Sequence, residues 1–391
     1  METTMIIGIP KEIMPGERRV AALPETVREY VNMGFQVLVE ASAGQGVFHS
    51  DADYRAAGAE IVPDSSTLYA RADLVLKVKQ PEFNEAVGRH EAEMIREGAM
   101  LITFLHPAAP ASHDMVRTLC NRNITSLTMD GVPRISRAQT MDALTSMSTI
   151  TGYKSVLIAA ARFPRFMPMI GTAIGATKPA NVLVVGTGVV GLQAIATAKR
   201  LGASVTAVDI RADARREAGS LKGTKVAGFE VPDEVALAPG GYARALPTEW
   251  LVRERALVDS LLPQIDIVIL SALVPGEVAP VLITEEAVRT MRPGSVIVDV
   301  AIDQGGNCAL TQVGREVAVQ DVLVCGTANI PGSVAVDASW LYANNILRYV
   351  QNLFKDGPQR PCFEDEIVKQ SLVTRDRKIV HAGTLKAMRL G

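Results

Sequence analysis

Apolar positions in the first 130 residues fall in short runs separated by stretches with helical spacing. The runs at 5–9, 36–39, 74–79, 101–105 and 124–129 predict strands, and the spacing over 24–33 predicts a helix between the first two. Strand, helix and strand in succession imply a parallel sheet with right-handed crossovers. From about 139 to 166 breakers become sparse, which predicts a long helix linking two domains. A second alternating series follows, with strands expected at 181–185, 204–209, 265–271, 295–300 and 322–325. The segment 229–248 is rich in glycine, proline and alanine and reads as a long loop, of the kind that often moves over a ligand. A helix over 338–353 leads to a short tail expected to return toward the first domain. The expected fold is α/β: two Rossmann-like domains with parallel sheets and a cofactor cleft between them. Residues 1–140 with 335–391 would form the substrate-side domain, and 141–334 the dinucleotide-binding domain.

Composition changes this picture little. The 391 residues are 48% apolar and 21% charged, a globular balance with room for two or three cores. Forty Lys and Arg against 42 Asp and Glu leave a formal charge of −2, so no basic field favours nucleic acid. Cys120, Cys308, Cys325 and Cys362 match no CxxC or zinc spacing. A reduced, cytoplasmic chain without a metal site follows from that usage. The apolar stretch before Lys11 and Glu12 is too short for a signal peptide. The run 179–198, uncharged between Lys178 and Lys199, has about the length of a membrane span. Asn181, Gln193 and three glycines interrupt it, and strand, glycine turn and helix account for it better.

That run holds the strongest local motif. VLVV leads straight into Gly186-Thr-Gly188-Val189-Val-Gly191, and an alanine-rich helix follows. In a GxGxxG turn the first glycine permits the tight bend, the second lets backbone approach a pyrophosphate, and the third lets helix pack on strand. The helix N-terminus then offers N–H groups and partial positive charge to the phosphates. The next strand ends in Asp209, 21 residues after Gly188, where a carboxylate can accept bonds from ribose hydroxyls and repel a 2′-phosphate. NAD is therefore expected rather than NADP, although Arg211 nearby is the kind of residue that accommodates that phosphate.

With this motif in place, the chain resembles the alanine dehydrogenase / pyridine nucleotide transhydrogenase family over essentially its whole length. The segments GIPKE…GERRVAALPETV, ALVPGEVAPVLIT and VDVAIDQGGNC carry the resemblance together with the glycine turn. Two more are similar to the soluble NAD(H)-binding alpha component of proton-translocating transhydrogenase. One is Arg134-Ile-Ser-Arg-Ala-Gln139-Thr-Met-Asp142, like the loop whose Arg, Gln and Asp surround the nicotinamide. The other is Gly240-Gly241-Tyr242, like the tip of a mobile loop that closes over NAD. The tail EDEIVKQSLVTRDRKIVH is also similar to that branch. The resemblance thus implies Arg134, Gln139 and Asp142 at the nicotinamide. It adds Thr145 and Tyr242 to Gly186, Gly188, Val189, Gly191 and Asp209 as cofactor-binding residues. It also implies NADP(H)-binding and membrane partner subunits, which would hold this chain peripherally at the inner face of the membrane. Ser136 and Gln139 have a plainer reading too, as the S-x-x-Q capping box of the connecting helix.

The two branches of the family ask for different chemistry. Ring-to-ring hydride transfer abstracts no proton from carbon, so the protein must orient two rings and exclude water. An amino-acid dehydrogenase must grip a small 2-keto or amino acid and exchange protons with it. The resemblance assigns Arg19 and Lys79 to the substrate's carboxylate and carbonyl, His106 to acid–base work, and Asp303 to the cofactor or developing cation. Loop texture favours the transhydrogenase component; the catalytic inventory keeps a stand-alone alanine-like dehydrogenase open. An NAD(H)-binding regulatory subunit without turnover is a third reading. A homodimer or larger homo-oligomer is expected.

Overall fold

The strand Ile6–Ile9 is the one on which the N-terminal sheet is built. Its two isoleucines at 7 and 9 are fully buried, and a side chain at Gly8 would run into Ala72 and Leu68 at 2.7 and 2.8 Å. The glycine lets the helix Ser65–Arg71 lie directly on the strand. A computed structural model of the chain describes residues 4–237, 243–274 and 278–389. It divides into two compact units, Met1–Met147 with Pro331–Gly391, and Ser148–Ile330.

The first unit holds an eight-stranded sheet. Six strands are parallel, in the order Thr125–Thr128, Met100–Thr103, Leu74–Leu76, Ile6–Ile9, Gln36–Glu40, Glu60–Val62. The order reverses at Ile6–Ile9, so the switch point lies between it and Leu74–Leu76. The tail completes the sheet with the antiparallel strands Leu372–Arg375 and Lys378–Ile379 beyond Thr125–Thr128. Ser126 and Thr374 join hydroxyls at 2.6 Å across that seam. The long helix Ala335–Leu353 packs in the same unit, where Ser339 accepts the N–H of Val20 and Tyr342 donates to the Lys77 carbonyl at 2.7 Å.

The second unit is a seven-stranded sheet. Lys225–Ala227, Ser204–Val208, Asn181–Val185, Ile267–Leu270, Val296–Asp299 and Val322–Cys325 are parallel in that spatial order, with Glu316–Val319 antiparallel at the edge. Strands buried on both faces read as continuous apolar runs, and VLVV, IVIL and VIVD do so here. The reversal falls between Asn181–Val185 and Ile267–Leu270.

Three local expectations change. The connecting helix begins at Ala143 and runs to Arg162, preceded by a 3-10 turn, Ser136–Met141. Asp142, at φ −75° and ψ +81°, interrupts the two. Its carboxylate caps the helix, accepting the Thr145 N–H at 2.8 Å and the Thr145 hydroxyl at 2.6 Å. Ser136 is not the cap: the residue before the 3-10 turn is Ile135, with no side-chain cap. Finally, the segment expected as loop contains a helical turn, Asp233–Ala236, and a bridge from Leu237 to Ala243. No helix among the described residues is long and apolar enough to cross a membrane.

Candidate functional site

The three glycines of the turn in the second unit are glycine for different reasons. Gly186 has φ +85°, and a Cβ there would sit 2.7 Å from the backbone of Ser271. At Gly191 a Cβ would lie 1.9 Å from the Gly186 carbonyl oxygen. Gly188, in contrast, has φ −72° and open space around a built Cβ. It is exposed, and it heads the helix Val189–Arg200 with no side-chain cap over the helix N-terminus. Nothing in the protein itself requires glycine at 188; close approach of a ligand to the backbone does. Beside it, Asp209 is 6% exposed and accepts the Thr187 N–H at 2.7 Å and the Arg211 N–H at 2.8 Å. The Arg211 guanidinium closes on the same carboxylate at 3.2 Å. The arginine that could meet a 2′-phosphate is thus folded onto the acid that excludes one.

In the first unit the segment from Arg134 to Asp142 is anchored from behind. Arg137 pairs with Asp365 at 2.9 Å and donates to Asn352 at 3.0 Å, and Asn345 donates to the Thr140 carbonyl at 2.9 Å. Burial raises the Asp365 carboxyl, but bonds from Arg137, Asn352 and the Ile367 N–H outweigh it and hold it at about 2. Ala138 and Met141 are buried, while Arg134 and Gln139 are more open to solvent. Asp142 is engaged with Thr145, so two of the predicted site residues are brought into contact. Tyr242, with Gly240 and Gly241, lies outside the described residues.

The remaining set lies in loops that follow strands, the end at which open α/β sheets bind ligands. Arg19 is 3% exposed and its guanidinium is held bidentately by Glu17, at 2.8 and 2.5 Å, with Met147 sulfur at 3.0 Å. A pocket of about 310 Å³ beside it is lined by Lys11, Glu12, Glu17 and Arg18, among others. His106 follows the strand Met100–Thr103 in a left-handed conformation, φ +45°. Its Nδ1 lies 3.0 Å from Asp130, which also accepts the His106 backbone N–H at 2.8 Å. Burial raises the Asp130 carboxyl, yet the His106 charge and these bonds bring it below its ordinary value. Lys79 is half-buried, its N–H directed at Glu12, and its carbonyl accepts Thr103 Oγ1 at 2.8 Å. Asp303 is exposed in the turn Ile302–Gln304 of the second unit.

Comparison with known proteins gives these features a family. Residues 155–382 match the model for the C-terminal domain of alanine dehydrogenase/PNT, and 8–151 match the N-terminal domain. The chain belongs to the alanine dehydrogenase/PNT family. It is 45% identical over 379 residues to the first of the separate alpha-subunit chains of NAD(P) transhydrogenase in Rhodospirillum rubrum, covering 96% of this chain and 98% of that one. It is 31% identical to the alanine dehydrogenase of Methanococcus maripaludis, covering 98% and 96%. Among solved structures, a transhydrogenase from Sinorhizobium meliloti superposes with TM-score 0.83 at 36% identity, over 96% of this chain and 100% of that one. An L-alanine dehydrogenase superposes with TM-score 0.82 at 29% identity, over 98% and 99%.

Some residues of this family member had no motif to mark them. Lys77, two positions before Lys79, is fully buried between Glu12 at 3.3 Å and Glu91 at 3.1 Å. Burial alone would lower the Lys77 ammonium, but the two carboxylates drive it above its ordinary range. Burial also raises the Glu12 carboxyl, against the pull of Lys77. Glu12 further accepts the Val78 N–H at 2.6 Å, fixing the strand end that carries Lys79 at the switch point. Asp130 stood just past a predicted strand, a position that could have suggested a partner for His106. Glu254, on the helix Thr248–Leu261, had no such signal; burial, with the Asp209 charge, pushes its carboxyl up to about 7. Among the described residues, no cluster of three His, Cys, Asp or Glu could hold a metal ion.

Proposed function

We propose that the chain is the NAD(H)-binding component of an NAD(P) transhydrogenase and works with partner subunits that hold NADP(H) and span the membrane. The observation that carries the cofactor assignment is Gly188, a glycine with no steric need of its own at the head of an uncapped helix and beside Asp209. The Gly186–Gly188 turn would hold the pyrophosphate and Asp209 the adenosine ribose, with NAD(H) preferred to NADP(H). A bound dihydronicotinamide supplies the hydride. The chain's own contribution is grip, orientation and exclusion of water. The segment Arg134 to Asp142 suits that role, because Arg137 and Asn345 brace it while Arg134 and Gln139 stay open to solvent. Hydride transfer between two rings needs no general acid at carbon.

One observation favours a second reading, a stand-alone dehydrogenase of an alanine-like amino acid. The His106–Asp130 pair is built as an acid–base dyad, with the carboxylate holding both ring and backbone of the histidine. The two readings part in one assay. The purified chain is given NADH, ammonium and a series of small 2-keto acids including pyruvate, and absorbance is followed at 340 nm. Steady NADH consumption, abolished by His106→Ala, would establish the dehydrogenase. Tight NADH binding without turnover, together with hydride transfer once an NADP(H)-binding transhydrogenase domain is added, would establish the transhydrogenase component.

A further inference from the structure

Asn307 lies on the C-terminal edge of the second sheet, eight residues past the strand Val296–Asp299, and is fully buried. Every polar group it has is used. Its Nδ2 donates to the carbonyls of Ala272 at 2.9 Å and Pro280 at 2.8 Å, and its Oδ1 accepts the Ala272 N–H at 3.0 Å. Its own N–H goes to Asp299 Oδ2 at 2.7 Å, and its carbonyl accepts the N–H groups of Leu282 and Ile283 at 2.7 and 3.0 Å. Asp299 is equally buried and takes three more donors, from Ala301, Cys308 and Thr311 Oγ1. The amide thereby joins two loops: the one leaving Ile267–Leu270, and the one leaving Val296–Asp299 that carries Asp303.

The place of this clamp gives it a meaning beyond packing. A dinucleotide lies across the switch point, one half on each side of the glycine turn. Asp209 marks the adenosine side, on the strand Ser204–Val208. The strands Ile267–Leu270 and Val296–Asp299 form the other side. The clamped loop also abuts the turn, since a Cβ on Gly186 would meet the Ala272 nitrogen at 2.8 Å.

We propose that Asn307 is a positioning residue for the nicotinamide half of the bound dinucleotide, setting the two loops on that side of the turn through Ala272 and Pro280. This rests on the NAD(H) reading above. In the full-length chain, Asn307→Asp keeps the shape and the acceptor but removes both Nδ2 donors. Thr311→Val loosens Asp299 more gently and keeps the test alive if the first variant does not fold. Affinities for NADH and for ADP-ribose, which lacks the nicotinamide, are measured by calorimetry. Loss of buried donors should weaken NADH binding by about tenfold or more for Asn307→Asp, and by less for Thr311→Val. ADP-ribose binding should stay within about twofold, because the glycine turn and Asp209 are untouched. Equal loss for both ligands, or loss for neither, would overturn the proposal. Failure of the unmodified chain to bind either ligand would instead remove the cofactor assignment, and the clamp's role with it.

Discussion

The carboxylate of Asp209 stands 2.7 Å from the backbone nitrogen of Thr187, the residue between the first two glycines of the turn. It is also 3.2 Å from the Arg211 guanidinium. One acid thus orders the turn and occupies the arginine. Asp209→Ala should leave the Thr187 N–H without its acceptor and release Arg211. NADH binding, followed by fluorescence titration, should weaken by roughly tenfold to a hundredfold, the scale of a lost charged hydrogen bond. NADPH should bind better relative to NADH than in the unmodified chain. Unchanged NADH binding would remove Asp209 from the site.

The glycines separate ligand binding from folding. Gly188→Ala meets open space and should leave the melting temperature within about 2 °C, while NADH affinity falls because the new methyl stands where the pyrophosphate must approach. Gly191→Ala forces a methyl to 1.9 Å from the Gly186 carbonyl oxygen and should destabilise the chain by about 3 kcal/mol. Paired thermal melts and NADH titrations distinguish the two. If Gly188→Ala binds NADH normally, the glycine has no ligand to serve.

Glu254 makes stability depend on pH. It is 5% exposed, and burial with the nearby Asp209 charge raises its carboxyl from 4.5 to about 7, against the pull of Arg255. The folded chain therefore holds a proton that the unfolded chain has lost. The resulting stabilisation is present below about pH 4.5 and disappears as pH rises to about 7. Glu254→Gln should remove that slope, raising stability at pH 8.5 by up to roughly 3 kcal/mol and matching the unmodified chain near pH 5. Coincident denaturation profiles for the two chains at both pH values would show that Glu254 ionises as freely folded as unfolded.

Much of the architecture was legible because parallel strands buried on both faces leave apolar runs that nothing else in a globular chain explains. Asn181–Val185 and Val322–Cys325 begin and end where the runs do. The antiparallel edges were not legible. Both two-residue hairpins, at Gln320-Asp321 and Asp376-Arg377, place positive φ on residues other than glycine, so the usual turn signal is missing. The segments that form them, 316–319 and 372–379, carry too many charges to read as sheet.

By itself the sequence determined the family, the parallel α/β layers, the glycine turn and the acid that follows it. Those depend on local spacing and on periodicity, which one strand and its neighbours express. Only the tertiary structure decided which groups meet: Arg211 on Asp209, His106 on Asp130, Arg137 on Asp365, and Asn307 across two loops. Most of these partners come from segments far apart in sequence, brought together at strand ends by sheet order. Hydrogen bonding and ion pairing act over about 3 Å, and no periodicity in the chain records which residues will come that close.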